Sequence, residues 1–380
     1  MSTSRTSFDF GRLLAVMLKE FIQLRRDRLT FAMMIGIPII QMTLFGFAIN
    51  GDPKSLPTVI VAHEQGTFTR SIVRSLENSS YFKVVGNVSD AEADRMLAEG
   101  DAQFALTIPS DFSRRIIRGE KPALLLDADA TDPSATGNAI SAVQQLGSTA
   151  LNHDLTGTLA PLQSSGNPFE VRIHRRYNPD GITQYNIVPG LMGVILTMTM
   201  IMMTALGVTR EVERGTMENL LATPVRPIEV MVGKIAPYIL IGYVQVTVIL
   251  LAARFIFSVP FVGNLFVLMG CVLLFIGANL TVGITISSAA RNQTQAMQMT
   301  FFFFLPSMLL SGFMFPFRGM PGWAQDIGEV LPLTHFLRLI RGVMLKGNSV
   351  MELWPNVWPL LLFMFVVMTI GLKRFRKTLD

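Results

Sequence analysis

Charge is what this chain of 380 residues has least of. Only 16% of its residues are Asp, Glu, Lys or Arg, and 50% are hydrophobic, whereas a soluble domain carries about 25% charged residues. Cysteine is nearly missing: Cys271 stands alone inside an apolar run, so no disulfide framework exists. The four histidines, His63, His153, His174 and His335, have no metal-like spacing. No nucleotide cradle is present. The Gly233-Lys234 pair has Ile228 where a Walker A motif needs its first glycine, and Ile235 where it needs Ser or Thr. G-x-S-x-G and H-E-x-x-H are also missing, and the acidic residues of the polar insert are scattered, which reads as a solvated face rather than a catalytic pair. These absences argue against a hydrolase or a nucleotide-burning enzyme. The apolar runs also lack the buried ionisable groups that ion-coupled carriers use. The exception, Arg254, sits near one end of its run, where a long side chain can snorkel.

What is present is apolar length. A helix needs about 20 residues to cross the roughly 30 Å hydrocarbon core. Six runs qualify: Leu29–Ile49, Ile187–Val208, Ile235–Phe257, Leu265–Ser287, Met297–Phe315 and Leu353–Leu372, the last interrupted by Pro355 and Pro359. No cleavable leader is evident, since the first 28 residues hold six Lys or Arg and no apolar core. Residues 1–28 read instead as an amphipathic interfacial helix, with Phe10, Leu13, Leu14, Met17, Phe21 and Leu24 on one face. The basic tail 373–380 and the basic connection after the second run (Arg210, Arg214, Arg226, Lys234) mark the cytoplasmic side. Both termini are therefore expected in the cytoplasm. The insert 51–185, with 12 basic and 16 acidic residues, is expected outside it. Basic residues distributed in this way exclude a nucleic-acid partner.

The insert reads as an α/β body. Strands are expected at Thr58–Ala62, Tyr81–Val85, Phe104–Ile108, Ala123–Asp127 and Phe169–Arg175. Helices are expected at Phe68–Glu77, from a Ser89/Glu92 capping box toward Ala98, from a Ser110 cap to Arg118, and from Asp132-Pro133 as far as Leu159. The fold expected is thus an α-helical polytopic membrane protein with TM1 at 29–50, an extracytoplasmic α/β domain inserted between its first two helices, and five helices in 186–372.

The segment after the second run reads Arg210-Glu211-Val212-Glu213-Arg214-Gly215-Thr216 and closes at Pro224. It projects directly below a span, within a cytoplasmic stretch 209–229. This pattern resembles the signature of ABC-2 type transporter permeases, the multidrug-type exporter subunits of bacteria. Tyr177-Asn178-Pro179, Val188-Pro189-Gly190, Leu310-Ser311-Gly312, Met320-Pro321-Gly322-Trp323 and Leu331-Pro332-Leu333-Thr334-His335-Phe336 extend the resemblance over nearly the whole chain. The resemblance implies a half-transporter in the inner membrane that pairs with a second permease copy or a sibling permease above a separate ABC ATPase. By the same implication ATP and Mg belong to that ATPase, and this chain holds no cofactor. Arg210, Glu211, Glu213, Arg214, Gly215 and Thr216 would contact the ATPase, and 316–347 would form a partly re-entrant outer hairpin.

Asn186, Gly190, Gly193, Thr197 and Thr204 recur near helical period and give the second run a small, polar stripe. The stripe is either one wall of a translocation path or a close helix–helix seam. Five methionines of the same run, with Phe301–Phe304 (Phe302 among them) of the fifth, suit a pliable apolar route for amphiphilic or lipid-like compounds. A periplasmic adaptor protein and membrane lipid are further expected partners. The alternative is a non-transporting receptor or scaffold whose outer domain binds an envelope partner. Such a protein has no need of the charged segment after the second run.

Overall fold

The computed structural model of the protein describes residues 52–164, 166–213 and 227–377. The expected interfacial helix, the run Leu29–Ile49 and most of the charged segment 214–226 lie outside the described residues. Two bodies are built: a five-stranded sheet domain and a helical domain.

The sheet runs β1 (Leu56–Ala62), β2 (Phe82–Asn87), β3 (Phe104–Ile108), β4 (Ala123–Asp129) and β5 (Glu170–Arg176) in spatial order β2-β1-β3-β4-β5. Helices α1 (Thr67–Asn78) and α2 (Asp90–Glu99) carry the chain back between strands, so β1 lies parallel to β2 and β3. The antiparallel partner is β4, reached after the short α3 (Phe112–Ile117). It is parallel to β5 across α4 (Pro133–Thr149) and α5 (Ala160–Ser164).

Strand alternation sorts β4 into two faces. Leu124, Leu126 and Ala128 join a core with Phe104, Phe112 and Ile140 on one side. Asp127 and Asp129 share the opposite face, where α2 packs Ala93 and Leu97 on Val59, Val61 and Ala105. Both carboxylates are buried, at 4% and 8% exposure. They are therefore not part of a solvated face, because basic groups from β5 and the helical domain cover them.

Local capping departs from expectation in places. Ser89 accepts from the Glu92 amide, but the Glu92 carboxylate goes forward to Arg95 instead of back to Ser89. Ser110 caps nothing. The residue before α3 is Asp111, and the carboxylate of Glu64 accepts from the Ser113 amide instead. The helix that Asp132 opens, through a bond from the Ser134 amide, stops at Thr149. A separate 3₁₀ turn at Gly157–Leu159 and α5 follow.

The helical domain holds α6 (Gln184–Glu213), α7 (Pro227–Phe255), α8 (Leu265–Ala289), α9 (Gln293–Leu310), α10 (Gly322–Val330), α11 (Pro332–Arg341) and α12 (Val350–Lys377). Four of these, α6, α7, α8 and α12, are long and apolar enough to cross a membrane among the described residues. The fifth run does not reach Phe315 as a helix. It ends at Leu310, and its first turn spends length on Gln293, Thr294 and Gln295. The sixth is not interrupted: α12 continues through Pro355 and Pro359. Those prolines stand four apart, so the lost amide donors fall on one face and the remaining bonds hold the rod.

The hub is α8, apolar on all sides, with Phe275 stacked on Phe336 of α11 at 4.0 Å between ring centroids. By contrast α7 leaves Leu240, Val244, Val248, Leu251 and Phe255 uncovered at helical spacing, and α12 leaves Trp358, Leu362, Phe365 and Val366. A stripe of this kind costs little only where the surrounding solvent is hydrocarbon. Between α9 and α12 the chain makes a hairpin of short elements: a 3₁₀ turn at Phe317–Gly319, then α10, α11 and a π turn at Gly342–Lys346.

Candidate functional site

The small, polar stripe of α6 is a packed seam. A Cβ at Gly190 would lie 2.6 Å from Phe313, and one at Gly193 would lie 2.7 Å from Leu333 and 3.0 Å from Phe336. Thr197 and Thr204 are buried, each hydroxyl donating to the carbonyl four residues back, Gly193 and Met200, at 2.8 Å. Phe302 is apart from them, half-exposed on α9. Asn186 has a different task. Its Nδ2 donates to the Thr131 carbonyl of the sheet domain at 3.1 Å, and its Oδ1 accepts from Arg341 Nη2 at 2.9 Å. One amide thus ties the start of α6 to the sheet on one side and to α11 on the other.

The opposite end of α6 is tied as firmly. Glu213 accepts from the Gln293 backbone amide at 2.8 Å and from its side-chain amide at 2.5 Å, while Arg210 Nε donates to Gln293 Oε1 at 3.3 Å. The first turn of a helix offers amides with no partner inside the helix and a partial positive charge. A carboxylate from α6 answers both at the start of α9, and Asn292 caps the same turn by accepting from the Gln295 amide. Arg210 is exposed and Glu211 half-buried. Arg214, Gly215 and Thr216 lie outside the described residues. The described part of the charged segment is therefore a splice between two helices, at the end of α6.

A second polar cluster joins the two bodies. Lys346, at the end of the π turn, places Nζ 2.7 Å from Asp129 Oδ2, donates to the Leu97 carbonyl at 2.8 Å and lies over the Tyr177 ring at 5.1 Å. Asn348 donates to the Ala98 carbonyl at 2.9 Å, and the exposed Arg318 reaches the Gly100 carbonyl at 3.3 Å. The C-terminal carbonyls of α2 thus receive donors from the hairpin, as the negative end of a helix favours. Next to them Asp127 accepts from Arg176 Nε at 2.8 Å and lies 2.7 Å from His174 Nδ1. On the hairpin itself, burial pushes the Glu329 carboxyl up, but the hydrogen bond and charge of Arg338 outweigh it and leave Glu329 below the ordinary carboxylate range.

Sequence reasoning found Glu213 through its motif and missed Gln293, Asp129, Arg341 and Lys346. The polar residues of the hairpin sit in amphipathic stretches that look like any membrane-surface segment.

Comparisons with known proteins agree on one family. A family model described as "ABC-2 family transporter protein" matches residues 28–373. The chain is 29% identical over 384 residues to "Probable multidrug ABC transporter permease YbhS" of Escherichia coli, covering 99% of this chain and 100% of that protein. It is 28% identical over 371 residues to "Probable multidrug ABC transporter permease YbhR" of the same organism, covering 97% and 99%. It is 27% identical over 370 residues to the "Inner membrane transport permease YhhJ", also of Escherichia coli, covering 95% and 96%.

Proposed function

This chain belongs to the ABC-2 family of transporter proteins, and from that premise we propose that it is the membrane permease of a bacterial inner-membrane exporter for amphiphilic compounds. A separate ABC ATPase drives it, and two permease chains make one pathway. The residues Arg210, Glu211, Glu213, Arg214, Gly215 and Thr216 meet the ATPase at the cytoplasmic face. On this reading the run Leu29–Ile49 and the α9 stretch complete six crossings, and the sheet domain stands outside the cytoplasm.

The observation that carries the reading is the bond from the Gln293 amide to Glu213. A charged segment that merely marked topology would need no partner. Here its first residues are fixed to the start of a second helix, so a force applied to the segment reaches α6 and α9 together. The apolar stripes on α7 and α12 support a hydrocarbon surround. The packing of Phe313, Leu333 and Phe336 against Gly190 and Gly193 supports a pathway that runs elsewhere, on a surface formed between two permease chains.

The test is co-purification of the tagged chain with an ABC ATPase from its own cell, followed by reconstitution with a lipophilic dye. The expected result is ATP-dependent dye movement, with both association and movement lost when Glu213 and Arg214 are replaced by Ala. Association that survives the double replacement would remove the segment from the ATPase contact.

A further inference from the structure

Where the hairpin meets the sheet domain and the first turns of α12, the structure forms a half-open cavity of about 340 Å³. That volume falls in the range of small-molecule sites, roughly 300–1,000 Å³. Its walls combine apolar groups (Leu337, Leu353, Pro355, Trp358, Pro359) with four cations (Arg318, Arg338, Arg341, Lys346) and six carboxylates (Glu99, Asp101, Asp129, Asp132, Glu329, Glu352).

Most charges around it are already committed. Lys346 pairs with Asp129 and Arg338 with Glu329. Glu352 accepts from the Ser349 amide, Asp132 from the Ser134 amide, and Glu99 is bonded to Arg95. Two arginines differ. Arg341 has no carboxylate within ion-pair distance among the described residues. Its Nη2 donates to neutral oxygens only, Asn186 Oδ1 and the Gly312 carbonyl at 3.4 Å, its Nε is shielded from solvent with no partner, and Asp132 and Asp129 act on its charge from beyond ion-pair distance. Arg318 donates to the Gly100 carbonyl and makes no ion pair among the described residues, with Arg338, Glu329 and Asp101 as its charged neighbours. A guanidinium held by neutral acceptors with a donor unanswered is costly, and an anion offering two oxygens in a plane removes the cost.

We propose that this cavity binds the anionic headgroup of an amphiphile, a phosphate or a carboxylate, with Arg341 as its anchor and Arg318 at its rim. The apolar wall specifies the rest of the ligand. Trp358 lines the cavity and is 49% exposed on the apolar face of α12, the face that continues through Leu362 and Phe365. Tryptophan settles where hydrocarbon gives way to headgroups, so a headgroup seated at Arg341 leaves its chain lying along α12. Occupancy also bears on the junction between the bodies, because Arg341 holds Asn186 and Asn186 holds Thr131. The inference deepens the exporter reading by naming an acidic headgroup as the polar part of the compound accepted. It is read by binding alone, so failure of transport leaves its test intact.

The test uses the full chain in nanodiscs of phosphatidylcholine, with Trp323→Phe and Trp354→Phe leaving Trp358 as the reporter. Dodecyl phosphate, inorganic phosphate and dodecyltrimethylammonium are titrated in turn. Dodecyl phosphate is expected to shift Trp358 fluorescence saturably and the cation to leave it unmoved. Loss of one charge-assisted contact in Arg341→Gln is expected to weaken dodecyl phosphate about tenfold or more. Arg341→Lys should retain part of the affinity, and the exposed Arg318→Gln should lose about two- to fivefold while folding normally. Should Arg341→Gln fail to fold, the lysine and Arg318 variants decide the matter. Unchanged affinity in both, or equal binding of the cation, overturns the proposal. Inorganic phosphate binding as tightly as dodecyl phosphate overturns the amphiphile and assigns the site to a free anion.

Discussion

Lys346 and Asp129 lie 217 residues apart in sequence and 2.7 Å apart in space, with side chains only 8% and 11% exposed. Breaking one side of a buried pair strands the other charge, which typically costs about 3–5 kcal/mol. Lys346→Met and Asp129→Asn are each expected to loosen the sheet domain from the hairpin by an effect of that order. The double variant should cost less than the sum. Hydrogen exchange across α2 and β4 in the purified protein measures the loosening, and strictly additive losses would rule out a coupled pair.

Glu213 serves the start of α9 as an acceptor. Glu213→Gln keeps a carbonyl oxygen for the Gln293 amide, whereas Glu213→Ala does not. Loss of a cap costs about 1 kcal/mol, so the alanine variant should lower thermal stability modestly and the glutamine variant less. In reconstituted transport the alanine variant should fall further than its stability loss explains, because the splice between α6 and α9 is cut. Equal transport in both variants would leave the bond without a role in coupling.

Two glycines contrast in the space around them. A Cβ at Gly263 would meet the Val343 backbone carbonyl at 2.2 Å, and no side-chain rotation relieves that contact. Around Gly270, within α8, there is nothing within 4 Å. Gly263→Ala is therefore expected to lose about 1–3 kcal/mol, and Gly270→Ala to be neutral or gain about 0.5–1 kcal/mol from helix propensity. Thermal unfolding of the two variants side by side gives the sign of each.

Acid should weaken the hairpin. Glu329 is held below its ordinary pKa by Arg338 in the fold. The stabilisation it provides is therefore present above the unfolded carboxyl's pKa and disappears as pH falls through the folded value. Glu329→Gln is expected to flatten the acid limb of stability against pH, read by proteolysis of the 316–347 segment. Glu329 is partly exposed, so the slope is small and salt should reduce it. An unchanged acid limb would discount the pair.

What the sequence disclosed was what short-range physics decides. Phe104–Ile108 reads as a strand because a short apolar run between polar turns is a local signal, and Asp132-Pro133 opens α4 because a cap and a proline act within one turn. What it withheld depends on distant partners. Gln293 looks like any polar residue until Glu213, 80 residues away, is placed on its amide. Asp129 reads as a solvated acid until Lys346 arrives. The α6 stripe is a different case: small residues suit both a pore wall and a tight contact, and the contact at Gly190 and Gly193 becomes visible only once Phe313, Leu333 and Phe336 are placed. Proline in α12 misled because a helix carried by its neighbours tolerates two lost donors on one face.

Helix α6 has 30 residues and a length of about 45 Å, and it is bolted at both extremities: Asn186 to the sheet domain, Glu213 to α9. A rod held in this way breaks a hydrogen bond when one end turns or slides alone. A twist imparted near Glu213 therefore has a direct bonded route through α6 to the turn that follows β4 at Thr131.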